Sequence, residues 1–356
     1  MTAPLLELVG IRRDFDVTRG LFGPRRLLRA LDGIDLRIGA GETVALVGES
    51  GCGKSTLGRI VAGLLPASSG EIRFEGHQPA SGKARARQIQ IVMQDPFGAL
   101  NPKMTVGELI AEPALLHDLV TRRTAPARVA ELLELVGLPR GVAGRYPHAM
   151  SGGQRQRVAI ARALATDPRL IVADEAVSAL DVSVQAQIAN LLKDIQARTG
   201  VSLLFISHGL SLVHHISDRV AVMYLGRIVE EGPADALFSG ARHPYTRALI
   251  SATPEPVPGG DSARIALTGE VPSPLALPSG CRFRTRCPHA TEFCAGADPV
   301  LGAPDRDHRT ACHLADSLPD WSRQPPRPAP RLMRAIELYR AAARSQAAEP
   351  APETTA

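Results

Sequence analysis

A glycine-rich stretch near the N-terminus, GESGCGKST, has the residue types and spacing of a phosphate-binding loop. Glycine allows a tight turn in which successive backbone N–H groups face a phosphate, and the helical segment that follows adds the positive end of its dipole. Lys54 would neutralise phosphate oxygens, and the Ser55 hydroxyl would ligate Mg²⁺. Cys52 is interpreted as a small filler of this loop. The nucleotide-binding residues predicted in this stretch are Gly48, Ser50, Gly51, Cys52, Gly53, Lys54, Ser55 and Thr56.

Two adjacent carboxylates end a second apolar stretch, RLIVADEA. Asp174 lies at the end of the apolar run, where it would hold Mg²⁺ through water. Glu175, one residue further on, would accept a proton from a water molecule that attacks the γ-phosphate. An acidic pair at a strand end is common by itself, but in a chain with a phosphate-binding loop it indicates nucleotide hydrolysis.

Three continuously apolar runs, at residues 43–48, 169–174 and 201–207, predict strands that are buried on both faces. Helical patterns alternate with these runs, which favours a mostly parallel sheet covered by helices and therefore an α/β fold. In such sheets ligands bind beyond the carboxyl ends of the strands. The phosphate-binding loop and the acidic pair both follow a predicted strand directly, so we expect them to lie at the same edge of the sheet.

The stretch MSGGQRQRVAIARAL, at residues 150–164, resembles the signature of ATP-binding-cassette (ABC) ATPases. A serine hydroxyl and glycine amides at a helix N-terminus form an anion site. The resemblance implies that two such domains pair head to tail and that each signature grips the ATP on its partner's phosphate-binding loop. The signature residues are Ser151, Gly152, Gly153 and Gln154.

The same resemblance implies roles for residues between and after these motifs. Gln94 in IVMQDPFGALNP would touch the magnesium ion and sense the transporter partner, and Asp181 in SALD would lie in a loop that crosses the dimer interface. His208 in FISHGL would contact the γ-phosphate and help to position the attacking water. Phe15 would stack on adenine, with Phe22 as the competing candidate.

Two positions depart from the pattern of the ABC ATPases. That family usually has proline after the catalytic glutamate and aspartate after the switch histidine, where this chain has Ala176 and Gly209. Neither change removes a ligand-contacting atom directly, so we expect an active ATPase with catalytic residues Glu175 and His208. The implied fold is a P-loop NTPase with a RecA-like core and a helical subdomain at about residues 95–165.

Longer stretches resemble the ATPase subunits of bacterial dipeptide/oligopeptide (peptide/nickel/opine-type) importers. They include QDPFGALNPKMTVGE, RYPHAMSGGQRQR and HPYTRALISATP, and the resemblance covers roughly residues 5–315. It implies three kinds of partner: a second ABC ATPase in a homo- or heterodimer, two membrane permeases and an external solute-binding protein. The alternatives are an importer of a related solute (nickel, an opine or a sugar) and a soluble ABC ATPase that acts on ribosomes or DNA.

Four of the five cysteines lie at the C-terminal end, with five, six and seventeen residues between them: Cys281, Cys287, Cys294 and Cys312. Zinc ribbons use tight cysteine pairs, which are absent here, and the wider spacing favours a [4Fe–4S] cluster. Zn²⁺ with a nearby histidine (His289, His308 or His313) and a site without metal are the alternatives. Arginines flank the first two cysteines and would offset negative charge: Arg282, Arg284 and Arg286. We expect the site to stabilise this extension, which is too small for its own core, while the phosphate-binding loop lies in a separate core.

Composition and charge limit the remaining possibilities. The formal net charge is +5 over 356 residues, and Lys and Arg are spread along the chain, which argues against a nucleic-acid partner. No apolar run approaches the roughly 18 residues of a membrane span, and charges interrupt the start where a signal peptide needs an apolar stretch. We therefore expect a cytoplasmic protein, and the resemblance to importer ATPases implies that it is peripheral on the cytoplasmic face of the inner or plasma membrane.

Proline- and glycine-rich segments mark the domain boundaries. We expect an ABC ATP-binding domain at residues 1–253 and a cysteine-rich extension at residues 254–318. A Pro/Ala-rich tail at residues 319–356 would be partly disordered, with a short helix at residues 332–344.

Overall fold

The computed structural model describes residues 3–18, 26–80, 82–178, 180–253, 265–302 and 307–321. The competing adenine candidate Phe22, most of the expected tail and its short helix lie outside the described residues. Within the described residues, no helix is long and apolar enough to cross a membrane.

Within the described ranges, ten strands form two sheets. In chain order they are β1 Leu6–Asp16, β2 Leu27–Ile38, β3 Thr43–Val47, β4 Ser69–Phe74, β5 Ile89–Val92, β6 Leu170–Asp174, β7 Ser202–Ile206, β8 Arg219–Tyr224, β9 Arg227–Pro233 and β10 Arg309–Thr310. A seven-stranded sheet has the order β10-β9-β8-β3-β7-β6-β5, and a three-stranded antiparallel sheet has the order β2-β1-β4. The larger sheet is parallel from β8 through β5, whereas β9 and β10 add to its other end as antiparallel strands.

The helices lie between and after these strands. They are α1 Lys54–Val61, α2 Gly82–Gln88, α3 Pro96–Ala99, α4 Val106–Leu116, α5 Ala125–Leu135, α6 Gly152–Leu164, α7 Val182–Thr199, α8 Leu210–Ile216, α9 Ala234–Ser239, α10 Pro244–Ser251 and α11 Glu292–Gly296. Two short 3₁₀ turns, Arg140–Gly144 and Pro147–Ala149, precede α6. Helices α3 to α6 are all inserted between β5 and β6, and α4 packs against both α5 and α6.

The three strands predicted from apolar runs form the middle of the larger sheet. Successive residues of β3 point to opposite faces, so Ala45 and Val47 join one hydrophobic core while Val44 and Leu46 join the other. Every residue of β3, β6 and β7 is buried. The mostly parallel α/β architecture predicted from the sequence is therefore confirmed.

The C-terminal extension, here residues 265–302 and 307–321, packs against the larger sheet. Strand β10 pairs with β9, and Phe283 lies in the same hydrophobic core as Val47 at the end of β3. The extension is too small to bury Phe283 within itself, so Phe283 packs in the hydrophobic core that contains Val47, whereas Cys52 of the phosphate-binding loop lies in the other core.

Candidate functional site

The phosphate-binding loop connects β3 to α1, as the sequence predicts. Gly48 has φ 151° and Gly53 has φ 108°, which are backbone conformations that favour glycine. A Cβ at Gly48 would lie 2.2 Å from the Met223 carbonyl oxygen, and one at Gly53 would lie 2.6 Å from the Ala30 carbonyl oxygen. Both glycines are therefore required by conformation and by the close approach of neighbouring backbone.

Lys54, the first residue of α1, is buried and turns back over the loop. Its Nζ donates hydrogen bonds to the carbonyl oxygens of Gly48, at 2.8 Å, and Glu49, at 3.0 Å. The Cys52 Sγ lies 3.7 Å from the same Nζ, and burial raises the pKa of the Cys52 thiol. The ammonium group is thus held inside the curve of the loop, where phosphate oxygens would need neutralising.

Ser55 and Asp174 meet at the carboxyl edge of the sheet. The Ser55 hydroxyl donates a 2.8 Å hydrogen bond to Asp174 Oδ1. Burial raises the pKa of Asp174, against the opposing effects of the Ser55 hydrogen bond and of Arg59 and Lys54. Carboxylate and hydroxyl oxygens suit Mg²⁺, and a bound cation would offset the cost of burying the carboxylate. Gln94, the third predicted Mg²⁺ residue, is exposed in the bend after β5, which pairs with β6.

Glu175 and His208 follow neighbouring strands and face each other. His208 Nδ1 lies 3.9 Å from Glu175 Oε1. The Glu175 N–H donates to the Ile206 carbonyl at 3.0 Å, and the Ser178 hydroxyl donates to the Glu175 carbonyl at 2.9 Å. Glu175 has a left-handed φ of 48°, which is unusual for a residue with a side chain. Its backbone is therefore fixed from both sides, and its carboxylate is aimed toward the predicted switch histidine.

The predicted signature residues begin helix α6. Ser151 is the N-cap: its Oγ accepts from the Gln154 N–H at 3.3 Å, and the Ser151 N–H donates to Gln154 Oε1 at 3.1 Å. This reciprocal pair is a capping box. A Cβ at Gly153 would come within 2.8 Å of Val184 in α7, so α6 and α7 pack closely there. Ser151 is exposed and so is Asp181, the N-cap of α7.

Phe15 lies near the end of β1, opposite Leu28 of β2. The Arg13 guanidinium carbon is 4.6 Å from the centre of the Phe15 ring, a cation–π contact. The adenine-stacking role of Phe15 stays a prediction.

The four C-terminal cysteines are free thiols that lie near one another. The Cys281 N–H donates to the Cys294 carbonyl at 2.8 Å. Burial, followed by the charges of the other three thiols, raises the pKa of Cys281 to about 11. Among the residues that the structure describes, however, no group of three or more His, Cys, Asp or Glu side chains is arranged to hold a metal ion. The predicted metal centre is therefore not confirmed.

Two of the histidines proposed as alternative zinc ligands have other partners. His308 Nε2 lies 2.8 Å from Glu230 Oε1, and His313 Nε2 lies 3.1 Å from the Ala297 carbonyl oxygen. These contacts weaken the zinc alternative.

Sequence reasoning missed a contact between the extension and the phosphate-binding loop. Arg286 donates two hydrogen bonds to the Glu49 carboxylate, at 2.7 and 3.0 Å, and the Tyr245 hydroxyl accepts one from the Glu49 N–H at 2.8 Å. Glu49 lies within the phosphate-loop motif but at one of its variable positions, where the motif gives no reason to single it out. Because Arg286 is 237 residues away, no local pattern could have paired the two.

Two family patterns match parts of this chain. The pattern described as "ABC transporter" matches residues 31–178. The pattern described as "Oligopeptide/dipeptide transporter, C-terminal region" matches residues 229–294.

Similar proteins match most of the chain. The dipeptide transport ATP-binding protein DppF of Escherichia coli (strain K12) is 47% identical over 303 residues, which are 84% of this chain and 91% of that protein. The oligopeptide transport ATP-binding protein OppF of the same strain is 47% identical over 325 residues, 88% of this chain and 97% of that protein. A putative peptide import ATP-binding protein of Brucella abortus (strain 2308) is 52% identical over 308 residues, 85% of this chain and 91% of that protein.

Two solved structures share the fold over about two thirds of this chain. CbiO1 of Clostridium perfringens, part of an ABC transporter complex, has a TM-score of 0.58 and 29% identity, and the match covers 66% of this chain and 90% of that one. A dimeric ATP-binding cassette in a post-hydrolysis state, bound to ADP and phosphate, has a TM-score of 0.56 and 27% identity, covering 64% and 98%.

Proposed function

The chain belongs to the ABC ATPases of the oligopeptide/dipeptide transporter family, and we propose that it hydrolyses ATP to energise the import of dipeptides or oligopeptides. The observation that carries the proposal is the convergence of Lys54, the Ser55–Asp174 pair and the Glu175–His208 pair at the carboxyl edge of one parallel sheet. The similarity to a C-terminal region typical of peptide transporters favours this function over a soluble ABC ATPase acting on ribosomes or DNA.

Each residue of this edge has a distinct part in hydrolysis. Lys54 and the amides of the phosphate-binding loop hold the β- and γ-phosphates. Ser55, Asp174 and Gln94 would hold Mg²⁺, which supplies charge neutralisation on the phosphate oxygens when bound. The Glu175 carboxylate accepts the proton of the attacking water, and the neighbouring His208 ring orients that water against the γ-phosphate.

We propose that the chain works as part of a membrane complex. The exposed Ser151 and Asp181 lie where a second ABC ATPase would cover them, so that each signature acts on the partner's ATP. A cavity of about 500 Å³ between β5, α4 and α6 has exposed apolar side chains, Met93 and Leu116, at its border. This cavity adjoins Gln94, so we propose that it is the site at which the permeases bind the chain on the cytoplasmic face of the membrane. The external solute-binding protein acts through those permeases.

The replacement Glu175→Gln tests the catalytic proposal. The amide cannot accept the proton of water, so turnover in the assembled transporter should fall about 10²–10⁴-fold while ATP binding is retained. ATPase rate and ATP affinity, measured together, check this. Lys54→Ala is the contrasting variant and should lose ATP binding itself. Near-normal turnover of Glu175→Gln would remove Glu175 from its catalytic role.

We also propose a [4Fe–4S] cluster on Cys281, Cys287, Cys294 and Cys312. The charges of the other three thiols raise the pKa of Cys281, so the four side chains lie close together. The spacing of the four cysteines lacks the tight pairs of zinc ribbons, which favours a larger cluster over Zn²⁺. The engagement of His308 and His313 elsewhere adds support.

Metal analysis of protein purified without oxygen tests the cluster. Iron and acid-labile sulfide should each be present at about four per chain, as this cluster type requires. Cys294→Ser should lose both, whereas Cys52→Ser, which changes the cysteine of the phosphate-binding loop, should keep them. Stoichiometric zinc without sulfide would contradict the iron–sulfur assignment, and the absence of any metal would contradict a metal centre.

A further inference from the structure

We infer that Arg286 and Tyr245 are positioning residues for ATP binding, and that both act through Glu49 of the phosphate-binding loop. The inference rests on the proposed ATPase function, since it concerns the same nucleotide site. It adds a role for the extension, which would set the conformation of that site from outside the ATP-binding motifs.

The first contact is a two-bond ion pair. The Arg286 Nη1 and Nη2 donate separately to the two Glu49 carboxylate oxygens, at 2.7 and 3.0 Å. The Arg286 side chain is 8% exposed and that of Glu49 is 27% exposed, so water screens this pair less than it screens a surface pair. Because the guanidinium is planar and fork-shaped, a paired carboxylate is fixed in orientation as well as position.

The second contact fixes the backbone of the same residue. The Glu49 N–H donates to the Tyr245 hydroxyl at 2.8 Å, while the Glu49 carbonyl accepts from Lys54 Nζ at 3.0 Å. One residue thus joins the extension to the lysine that would neutralise ATP phosphates. Its carboxylate, its N–H and its carbonyl each have a different partner, which leaves Glu49 little freedom to change conformation.

An aromatic cluster holds Tyr245 in place. The ring centre of Tyr245 lies 4.8 Å from that of Tyr224 and 5.4 Å from that of Phe283. The ring centres of His243 and Phe283 lie 5.6 Å apart with the rings tilted, and His243 Nδ1 accepts from the Tyr245 N–H at 3.1 Å. Burial lowers the pKa of His243 to about 4, so at neutral pH its ring is uncharged and Nδ1 is free to accept.

Both contacts depend on one short segment of the extension. Phe283 and Arg286 lie between Cys281 and Cys287, and Phe283 is 1% exposed. A displacement of this segment would break the Arg286–Glu49 ion pair and would also remove the packing of Phe283 against Tyr245. The phosphate-binding loop would then become ordered only when ATP binds. The conformational entropy lost in that ordering would lower the affinity for ATP. The chemical step, which uses Glu175, would be unaffected once ATP is bound.

Arg286→Gln in the full chain tests the inference, with Arg284→Gln as the matched control. Arg284 lies between the same two cysteines, but it donates to Ser279, at 2.9 Å to the carbonyl oxygen. Calorimetric titration with Mg-ATP should give about tenfold weaker binding for Arg286→Gln, the loss expected of a charged hydrogen-bonded pair, and unchanged binding for Arg284→Gln. In the assembled transporter KM for ATP should rise about tenfold with kcat within about twofold of the wild type.

A double-mutant cycle separates this role from a general loss of stability. Glu49→Gln should weaken ATP binding by itself, and Glu49→Gln combined with Arg286→Gln should be no weaker than either single variant. Equal ATP affinity of Arg286→Gln and Arg284→Gln, or strictly additive single effects, would overturn the inference.

If Arg286→Gln does not fold, Tyr245→Phe decides, since it removes only the hydroxyl: about threefold weaker ATP binding supports the inference, and unchanged binding overturns it. A wild-type chain that binds no ATP would instead overturn the proposed function.

Discussion

At the scale of single residues, the structure accounts for one departure from the ABC pattern. Glu175 has a left-handed φ of 48°, a conformation that costs about 1–3 kcal/mol and is found most often at functional sites. The following residue is Ala176 where the family usually has proline. A residue before proline is pushed toward extended conformations, so Ala176 leaves the left-handed region more accessible to Glu175. The substitution is therefore compatible with an aimed catalytic carboxylate.

The second departure affects a helix end. Gly209 is the N-cap of α8 and has no side chain to accept a hydrogen bond there; its N–H donates to the Ser207 hydroxyl at 3.0 Å. Glycine is only a few tenths of a kcal/mol worse than aspartate as an N-cap. The loop that carries His208 thus keeps its helix at little cost in stability.

Ser151 allows a test of head-to-tail pairing at this scale. Ser151→Asp keeps the N-cap of α6, because aspartate accepts the same hydrogen bond from the Gln154 N–H. It also adds a negative charge where the partner's γ-phosphate would lie, so ATP hydrolysis in the assembled transporter should fall at least about tenfold. ATP affinity and melting temperature of the isolated chain should stay unchanged.

Ser151→Thr is the control, since it conserves both the cap and the charge and should keep most of the activity. If ATP affinity of the isolated Ser151→Asp chain fell as far as that of Lys54→Ala, the signature would be acting on its own chain's nucleotide, and the head-to-tail arrangement would be wrong.

At the scale of elements, the sequence predicted best where a pattern is local. The continuous apolar runs became β3, β6 and β7 because strands buried on both faces need no polar alternation. Pro126 lies in the first turn of α5, and Gly137, with φ 67°, follows its end, as the preferences of these residues predict. Pro113 is different: α4 continues through it for one more turn, to Leu116.

Elements defined by distant partners could not be predicted. Strand β10 has only two residues, and it exists because Arg309 and Thr310 pair with Glu231 and Glu230 of β9. The cysteine spacing predicted a compact C-terminal site but contained nothing about what that site packs against. The position of the phosphate-binding loop between a strand and a helix was predicted from local sequence, whereas its contact with Arg286 depends on tertiary structure alone.

At the scale of the whole molecule, buried ion pairs attach the extension to the ATP-binding domain. Arg282 donates to Asp32, which is 4% exposed, and Arg309 donates to Glu231, which is 2% exposed. Each carboxylate also has an arginine partner from the ATP-binding domain, Arg227 for Asp32 and Arg219 for Glu231. Each of these two carboxylates thus accepts hydrogen bonds from an arginine of the extension and from an arginine of the ATP-binding domain. Removal of the extension would leave both buried carboxylates with one partner fewer.

Truncation after Thr253 tests whether the ATP-binding domain depends on this attachment. The truncated chain would lack Phe283, which packs against Tyr224 and Tyr245. The loss of one large buried apolar side chain should lower the free energy of unfolding by about 1.5–3 kcal/mol. It would also remove one partner from each of three buried carboxylates, Asp32, Glu230 and Glu231, at about 1 kcal/mol or more each. Because about 1 kcal/mol shifts the melting temperature of a domain this size by roughly 2–4 °C, we expect a decrease in melting temperature of about 10 °C or more.

Truncation after Trp321 removes only residues 322–356 and is the control, with an expected shift under about 2 °C. Thermal unfolding followed by circular dichroism distinguishes the two chains, and equal melting temperatures would mean that the extension is an accessory to a domain that is stable without it.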